Sequence, residues 1–141
     1  MTQPVLLAID LAHRDSAAAA LPRALSIARA ADAPLHLAYV MAYGHYSYIE
    51  PLISASVIED TAIRAKGDLD AMVAESGAPE GTVTTHVLRG GVSQQILDLA
   101  DRIGAEHVIV NARFEAASNN ASGPNAAQIA RFAKCSVTIL R

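Results

Sequence analysis

Short aliphatic and β-branched runs alternate with longer stretches of helical periodicity along the whole chain, the pattern of βαβ units that build a parallel sheet. Five strand-like runs stand out: Val5 to Ile9, Pro34 to Val40, Thr82 to Leu88, His107 to Asn111 and Ser136 to Leu140. Val5-Leu6-Leu7-Ala8-Ile9 and Val108-Ile109-Val110 are continuously apolar, as strands covered by helices on both faces require. They are therefore predicted as the central pair. Leu35-His36-Leu37 and Val83-Thr84-Thr85-His86-Val87 alternate, which places the second and third strands nearer an edge.

Four helices fit between the strands. In the first, Ala20, Ala24, Ile27, Ala28 and Ala31 recur at helical spacing behind a Ser16 cap. Proline is tolerated only in a first turn, so Pro22 predicts a start near Ala18 to Leu21. The second covers about Ala55 to Ser76, with Ile58, Ala62, Ala65, Leu69, Met72 and Val73 as its apolar stripe and Gly77 as its stop. The third covers Ser93 to Ile103, with Ile96, Leu97, Ala100 and Ile103 facing inward before Gly104. The fourth is short, about Asn125 to Ala133, with Ile129 and Phe132 apolar.

A length of 141 residues suits one domain and is short for two. Of the 52% hydrophobic positions, 29 residues are alanine, so helices pack closely and each buries little area. With 11 basic against 14 acidic side chains spread along the chain, no basic stripe exists to neutralise a phosphate backbone. Nucleic acid is not an expected partner. No run approaches the roughly 20 apolar residues of a membrane span, and Met1-Thr2-Gln3-Pro4 lacks the basic and apolar regions of a signal peptide. The expected compartment is the cytoplasm. The single cysteine, Cys135, excludes an intramolecular disulfide and reads as a buried structural thiol.

In open parallel sheets ligands bind outside the carboxyl ends of the strands, where the strand order reverses. That rule selects Asp10, the segment Met41 to Tyr48, Gly90-Gly91, and the segment Ala112 to Asn125. Asp10 is suited to accept a hydrogen bond from a ligand hydroxyl or amino group, or equally to cap neighbouring backbone amides. Tyr43, His45, Tyr46 and Tyr48 gather rings in one loop, where they can stack on a planar base, form a lid or make a dimer contact. The helix start after Ala112 can cradle phosphate on its backbone amides, with Arg113, Ser122 and Asn125 as helpers. Gly123 is the only glycine there, so the loop has little of the freedom of a glycine-rich phosphate loop. His36 and His86 lie within strands and read as satisfied, partly buried side chains. No histidine pair has metal-ligand spacing on one helix face, so no metal site is expected.

The β-Asp of Asp10, the Gly90-Gly91 pair, Gly123-Pro124-Asn125-Ala126-Ala127 and the closing Cys135-Ser136-Val137-Thr138-Ile139-Leu140-Arg141 resemble the universal stress protein (UspA) superfamily over the whole chain. The Gly-x-Asn-Ala-Ala form and the tyrosine-bearing loop are most similar to its UspF-type branch. The resemblance implies one domain over residues 1–141: a three-layer α/β fold, adenine nucleotide alpha hydrolase-like, with four helices on an open parallel five-stranded sheet of order 3-2-1-4-5. It implies a homodimer paired through Val137, Thr138, Ile139 and Leu140. It also implies ATP, ADP or AMP, with or without Mg, held by Ile9 and Asp10, the main chain of Val40, and Ala112, Arg113, Ser122, Gly123, Pro124 and Asn125.

This sequence departs from the family's phosphate grip. Ala112-Arg113-Phe114-Glu115 stands in place of Gly-x-x-Gly. Pro124, without N–H or hydroxyl, stands where a phosphate-binding Ser is usual, and Glu115 adds negative charge. AMP is therefore less affected than ATP. Against nucleotide binding stands a ligand-independent interaction module of the same fold. A receiver domain would need acidic neighbours that Asp10 lacks, and no converging nucleophile and base identifies an enzyme, although slow ATP hydrolysis stays compatible with the fold.

Overall fold

The computed structural model describes residues 3–41, 54–111 and 124–141. Its elements are β1 (Val5–Ile9), a 3-10 turn (Leu11–His13), α1 (Arg14–Ala30), β2 (Leu35–Met41), α2 (Ala55–Glu75), β3 (Val83–Arg89), α3 (Val92–Ile103), β4 (His107–Asn111), α4 (Pro124–Phe132) and β5 (Ser136–Leu140). The strands form one parallel sheet in the order β3-β2-β1-β4-β5. This is the α/β architecture anticipated above.

Strand alternation divides the core into two layers. Val5, Leu7 and Ile9 of β1 pack with Leu35, Leu37 and Ile109 against Ala17, Ala20, Leu21, Ala24 and Ala28 of α1 and Ala65 and Leu69 of α2. Leu6 and Ala8 pack with Ala38, Val108 and Val110 against Ile96, Leu99 and Ala100 of α3 and Ala126 and Ile129 of α4. Right-handed crossovers require this: the chain moves outward from β1 through β2 to β3, then returns to β4 and moves the other way. All five β1 residues are buried, which explains their unbroken apolarity. The alanines of α1 let its backbone approach the sheet closely.

Several sequence expectations change. Helix α1 starts at Arg14, ahead of the predicted Ala18 to Leu21, and Ser16 lies inside it instead of capping it. Asp10 caps the 3-10 turn that precedes it, accepting from the Ala12 N–H at 2.9 Å, while the His13 N–H bonds the Asp10 carbonyl at 3.1 Å. α1 itself has His13 at its N-cap with no side-chain cap bond, and follows that turn without a gap. Pro22 then falls about two turns in, on the exposed side of the helix. Burial of Ala20, Leu21 and Ala24 around it outweighs a local penalty of about 3 kcal/mol.

In α3 the inward stripe is Ile96, Leu99 and Ala100, and Leu97 is only half-buried. Phe132 is not a core residue: it is 60% exposed, with the Arg131 guanidinium 5.3 Å from its ring centroid. β2 is an interior strand, paired on one side with β1 and on the other with β3. Its polar position is not an edge signature, because His36 is satisfied across the sheet by His86 at 2.8 Å. Cys135 is half-buried, and burial pushes its thiol above the ordinary value.

Candidate functional site

The reversal of strand order lies between β1 and β4, whose pairing runs from Val5↔His107 to Ala8↔Val110. Past that point the two strands diverge at Asp10 and Asn111. The Asp10 side chain is 26% exposed. One carboxylate oxygen accepts from Ala12 N–H, and the other lies 3.1 Å from His13 Nδ1. An ionised carboxylate offers about four acceptor positions, so these contacts orient the group without exhausting it.

Asn111, the last residue of β4, donates from its side-chain amide to the Ser16 carbonyl at 3.3 Å. This ties the mouth of the crevice to the first turn of α1. The sequence reading took Asn111 only as a strand end. The switch-point rule applied to β4 as it was to β1 would have selected it. Between α1 and the ends of β4 and β5 a recess of about 520 Å³ opens, lined by Ser16, Ala19, Arg23, Asn111, Leu140 and Arg141 among others. Arg23 closes its outer side by donating to the Arg141 carbonyl at 3.3 Å.

β2 runs one residue further than predicted, ending at Met41, whose carbonyl accepts from Gly90 N–H at 3.0 Å. Val40 is thus the penultimate strand residue. Its side chain is buried in the α3/α4 layer. The Val5 N–H bonds Pro34 O, so in a parallel ladder the even-numbered residues of β2 turn their main-chain groups toward β1. Since that pairing ends at Ile9↔Tyr39, the Val40 carbonyl faces the space above the end of β1, beside Asp10. Ile9 itself is buried beneath it. Gly90, at φ 124, occupies a conformation open to glycine, and the following Gly91 caps α3.

On the far side, α4 begins at Pro124, where a missing N–H costs nothing and φ is already helical. Asn125 follows, half-buried, with Ala126 packed below. The remaining candidates on this flank, Ala112, Arg113, Glu115, Ser122 and Gly123, lie outside the described residues, as do Tyr43, His45, Tyr46 and Tyr48. The structure therefore brings together Ile9, Asp10, Val40 and Asn111 at one end of the sheet. Among the described residues no group of three or more His, Cys, Asp or Glu side chains is placed to hold a metal ion, and no helix is long and apolar enough to cross a membrane.

An open parallel sheet whose order reverses between β1 and β4, with Asp10 and Asn111 at the ends of those strands, defines a switch-point α/β protein. The chain belongs to the universal stress protein family, whose model matches residues 1–141. Among solved structures it is similar to universal stress protein UspA from Lactobacillus plantarum, at 22% identity with a TM-score of 0.79, covering 99% of this chain and 98% of that one. It is similar also to a universal stress protein in complex with cAMP, at 21% identity and TM-score 0.70 over 100% and 99% of the two chains. A third is the universal stress protein from Archaeoglobus fulgidus in complex with dAMP, at 21% identity and TM-score 0.66 over 100% of both.

Proposed function

We propose that this universal stress protein binds an adenine nucleotide in the crevice between β1 and β4, as a small cytoplasmic homodimer in the stress response, nearest the UspF-type branch. The observation that carries the reading is the Asp10 carboxylate, held in place at the switch point with the Val40 carbonyl facing the same space. Asp10 would accept from a ribose hydroxyl, and Val40 from the exocyclic amino group of the base. Two similar proteins have been solved with cAMP and dAMP, both adenine nucleotides with a single phosphate.

The phosphate would meet the α4 N-terminus. There Asn125 and Ala126 supply N–H groups while Pro124 supplies none. Ser122, Arg113, Ala112 and Gly123, which lie outside the described residues, are assigned to this end by the family resemblance alone. With one amide fewer and Glu115 nearby in sequence, a single phosphate is accommodated better than three, and Mg accompanies only the polyphosphates. The homodimer would pair through Val137, Thr138, Ile139 and Leu140. Ile139 is 38% exposed on that outer strand, with Phe132 exposed on the preceding helix, and pairing would cover an unprotected edge.

Thermal unfolding in the presence of AMP, cAMP, ADP and Mg-ATP tests the reading, since a ligand at a hundred times its Kd stabilises by about 2.7 kcal/mol. AMP and cAMP are expected to raise Tm more than Mg-ATP, and Asp10→Ala to abolish the rise. No shift at millimolar nucleotide would overturn it. The result would then favour the second reading, a nucleotide-independent interaction module, for which both Asp10 oxygens being already engaged by Ala12 and His13 is the supporting observation.

A further inference from the structure

β3 closes the sheet on the side opposite β5, and among the described residues it pairs only with β2. Two bonds fix which of its main-chain groups point outward. Leu35 N–H donates to Thr82 O at one end and Gly90 N–H to Met41 O at the other. In a parallel ladder the even-numbered residues Thr84, His86 and Leu88 therefore bond inward to β2. The N–H and C=O groups of Val83, Thr85 and Val87 face outward.

One of these outward groups is already occupied, by a side chain from α2. Lys66 Nζ donates to the Thr85 carbonyl at 3.3 Å and also to the Thr85 hydroxyl. The hydroxyl donates to Asp70 Oδ1 at 2.6 Å, and Asp70 in turn holds Lys66 at 3.2 Å. The ammonium is thus clamped over the middle of the strand by two partners one helical turn and one strand away. At the far end Arg89 is drawn back onto α2 by Glu59 at 2.8 Å, which confines the open window to Val83 through Val87.

That window is self-complementary. Turned antiparallel about Thr85, the run Val83-Thr84-Thr85-His86-Val87 sets Val83 opposite Val87 of a second copy and Thr85 opposite Thr85. Both main-chain groups of all three outward residues then find partners. Lys66 sits at the symmetry centre, so two copies would bring two clamped ammonium groups together there.

We infer that the β3 edge is a latent pairing surface for a second copy of this chain, and that Lys66, held by Asp70 and Thr85, is the guard that keeps it closed. Placing a charged lysine against an edge carbonyl is a recognised way of stopping edge-to-edge growth. The need for it is acute in this fold: if β5 also pairs with its own copy, two self-complementary edges on opposite sides of one sheet would generate an open filament instead of a closed dimer. Only that last step rests on the dimer proposed above.

The test is sedimentation velocity from micromolar to millimolar protein on wild type, Lys66→Met and the double variant Lys66→Met/Val87→Pro. Methionine keeps the aliphatic stem and removes the donor. Proline at position 87 deletes an outward N–H and leaves the bonds to β2 intact. Lys66→Met is expected at least to double the weight-average mass relative to wild type, whether wild type is monomer or dimer, and the double variant to restore it. Hydrogen exchange adds an independent readout: the Thr85 and Val87 amides become protected in the Lys66→Met assembly. An unchanged mass for folded Lys66→Met, or a rise that Val87→Pro does not reverse, overturns the inference. A monomeric wild type that dimerises on Lys66→Met would instead refute only the β5 dimer.

Discussion

Leu69 is the side chain on which the attachment of α2 depends, and Leu69→Ala measures it. Of the 21 residues of α2 only Ala65 and Leu69 are fully buried, Leu69 at 0% exposure in the layer with Leu37 and Leu35. Removing it deletes the larger of the two buried side chains that attach a long helix to the sheet. Leu→Ala substitutions in cores cost about 2.7–5.0 kcal/mol, least where the surroundings can collapse. Here the half-buried Met72 and Val73 lie on the same face and can partly close the gap, so about 3 kcal/mol is expected. For a domain of this size that corresponds to a fall in Tm of about 10 °C. Urea denaturation supplies the free energy, with an unchanged m-value showing that both states are otherwise intact. Ile63→Ala on the same helix is the control: at 63% exposure its loss should stay within about 0.5 kcal/mol. A loss below about 1 kcal/mol at Leu69, or an equal loss at Ile63, would refute the assignment of the buried face.

Three further outcomes follow from the geometry. His36 and His86 stack with centroids 5.1 Å apart and share a 2.8 Å hydrogen bond. Burial lowers both below their ordinary value of 6.5, with His36, Lys66 of α2 and Arg102 of α3 adding to the effect at His86. The unfolded chain then binds protons that the native one refuses. Their contribution is complete above about pH 6.5 and is lost as pH falls below it. Urea midpoints between pH 8 and 5 should therefore drop, and should drop less in His36→Gln/His86→Gln; equal slopes would refute it. Gly90→Ala places a Cβ 3.2 Å from the Gln95 side chain at φ 124, and should cost about 1–3 kcal/mol by thermal unfolding. Asp10→Asn keeps an acceptor for Ala12 and should leave the unfolding free energy within about 0.5 kcal/mol of wild type while weakening AMP binding; an equal loss of both would make Asp10 purely structural.

The positions of the strands were legible because a strand buried on both faces has to be apolar throughout, as Val5 to Ile9 and Val108 to Val110 are. The helix faces were legible where a stripe repeats, as at Ala65 and Leu69. Legibility failed where a local rule met a tertiary constraint. Pro22 argued for a late start to α1, but the 3-10 turn capped by Asp10 leads straight into the helix at Arg14, and packing around Leu21 carries the proline. Phe132 read as core by residue type, and nothing in a nine-residue periodicity revealed that its place on α4 lies outside the layer. For the candidate site, Asp10 was visible because it directly follows an apolar strand. Asn111 was within reach of the same rule as the last residue of β4, but its bond to Ser16, 95 residues away along the chain, was not.

The sequence by itself determined an α/β layer structure, its five strands, and the chain segments that reach the carboxyl end of the sheet. Periodicity and apolar runs are local, and they say which side of an element is dry. Only the tertiary structure decided what meets across that frame: Asn111 on the Ser16 carbonyl, His36 against His86, and Lys66 over the Thr85 carbonyl. Those meetings depend on strand register and helix placement, and a shift of one residue would turn each side chain to the opposite face. The physical reason is that register is set by the whole packed sheet, so no short stretch of this chain contains it.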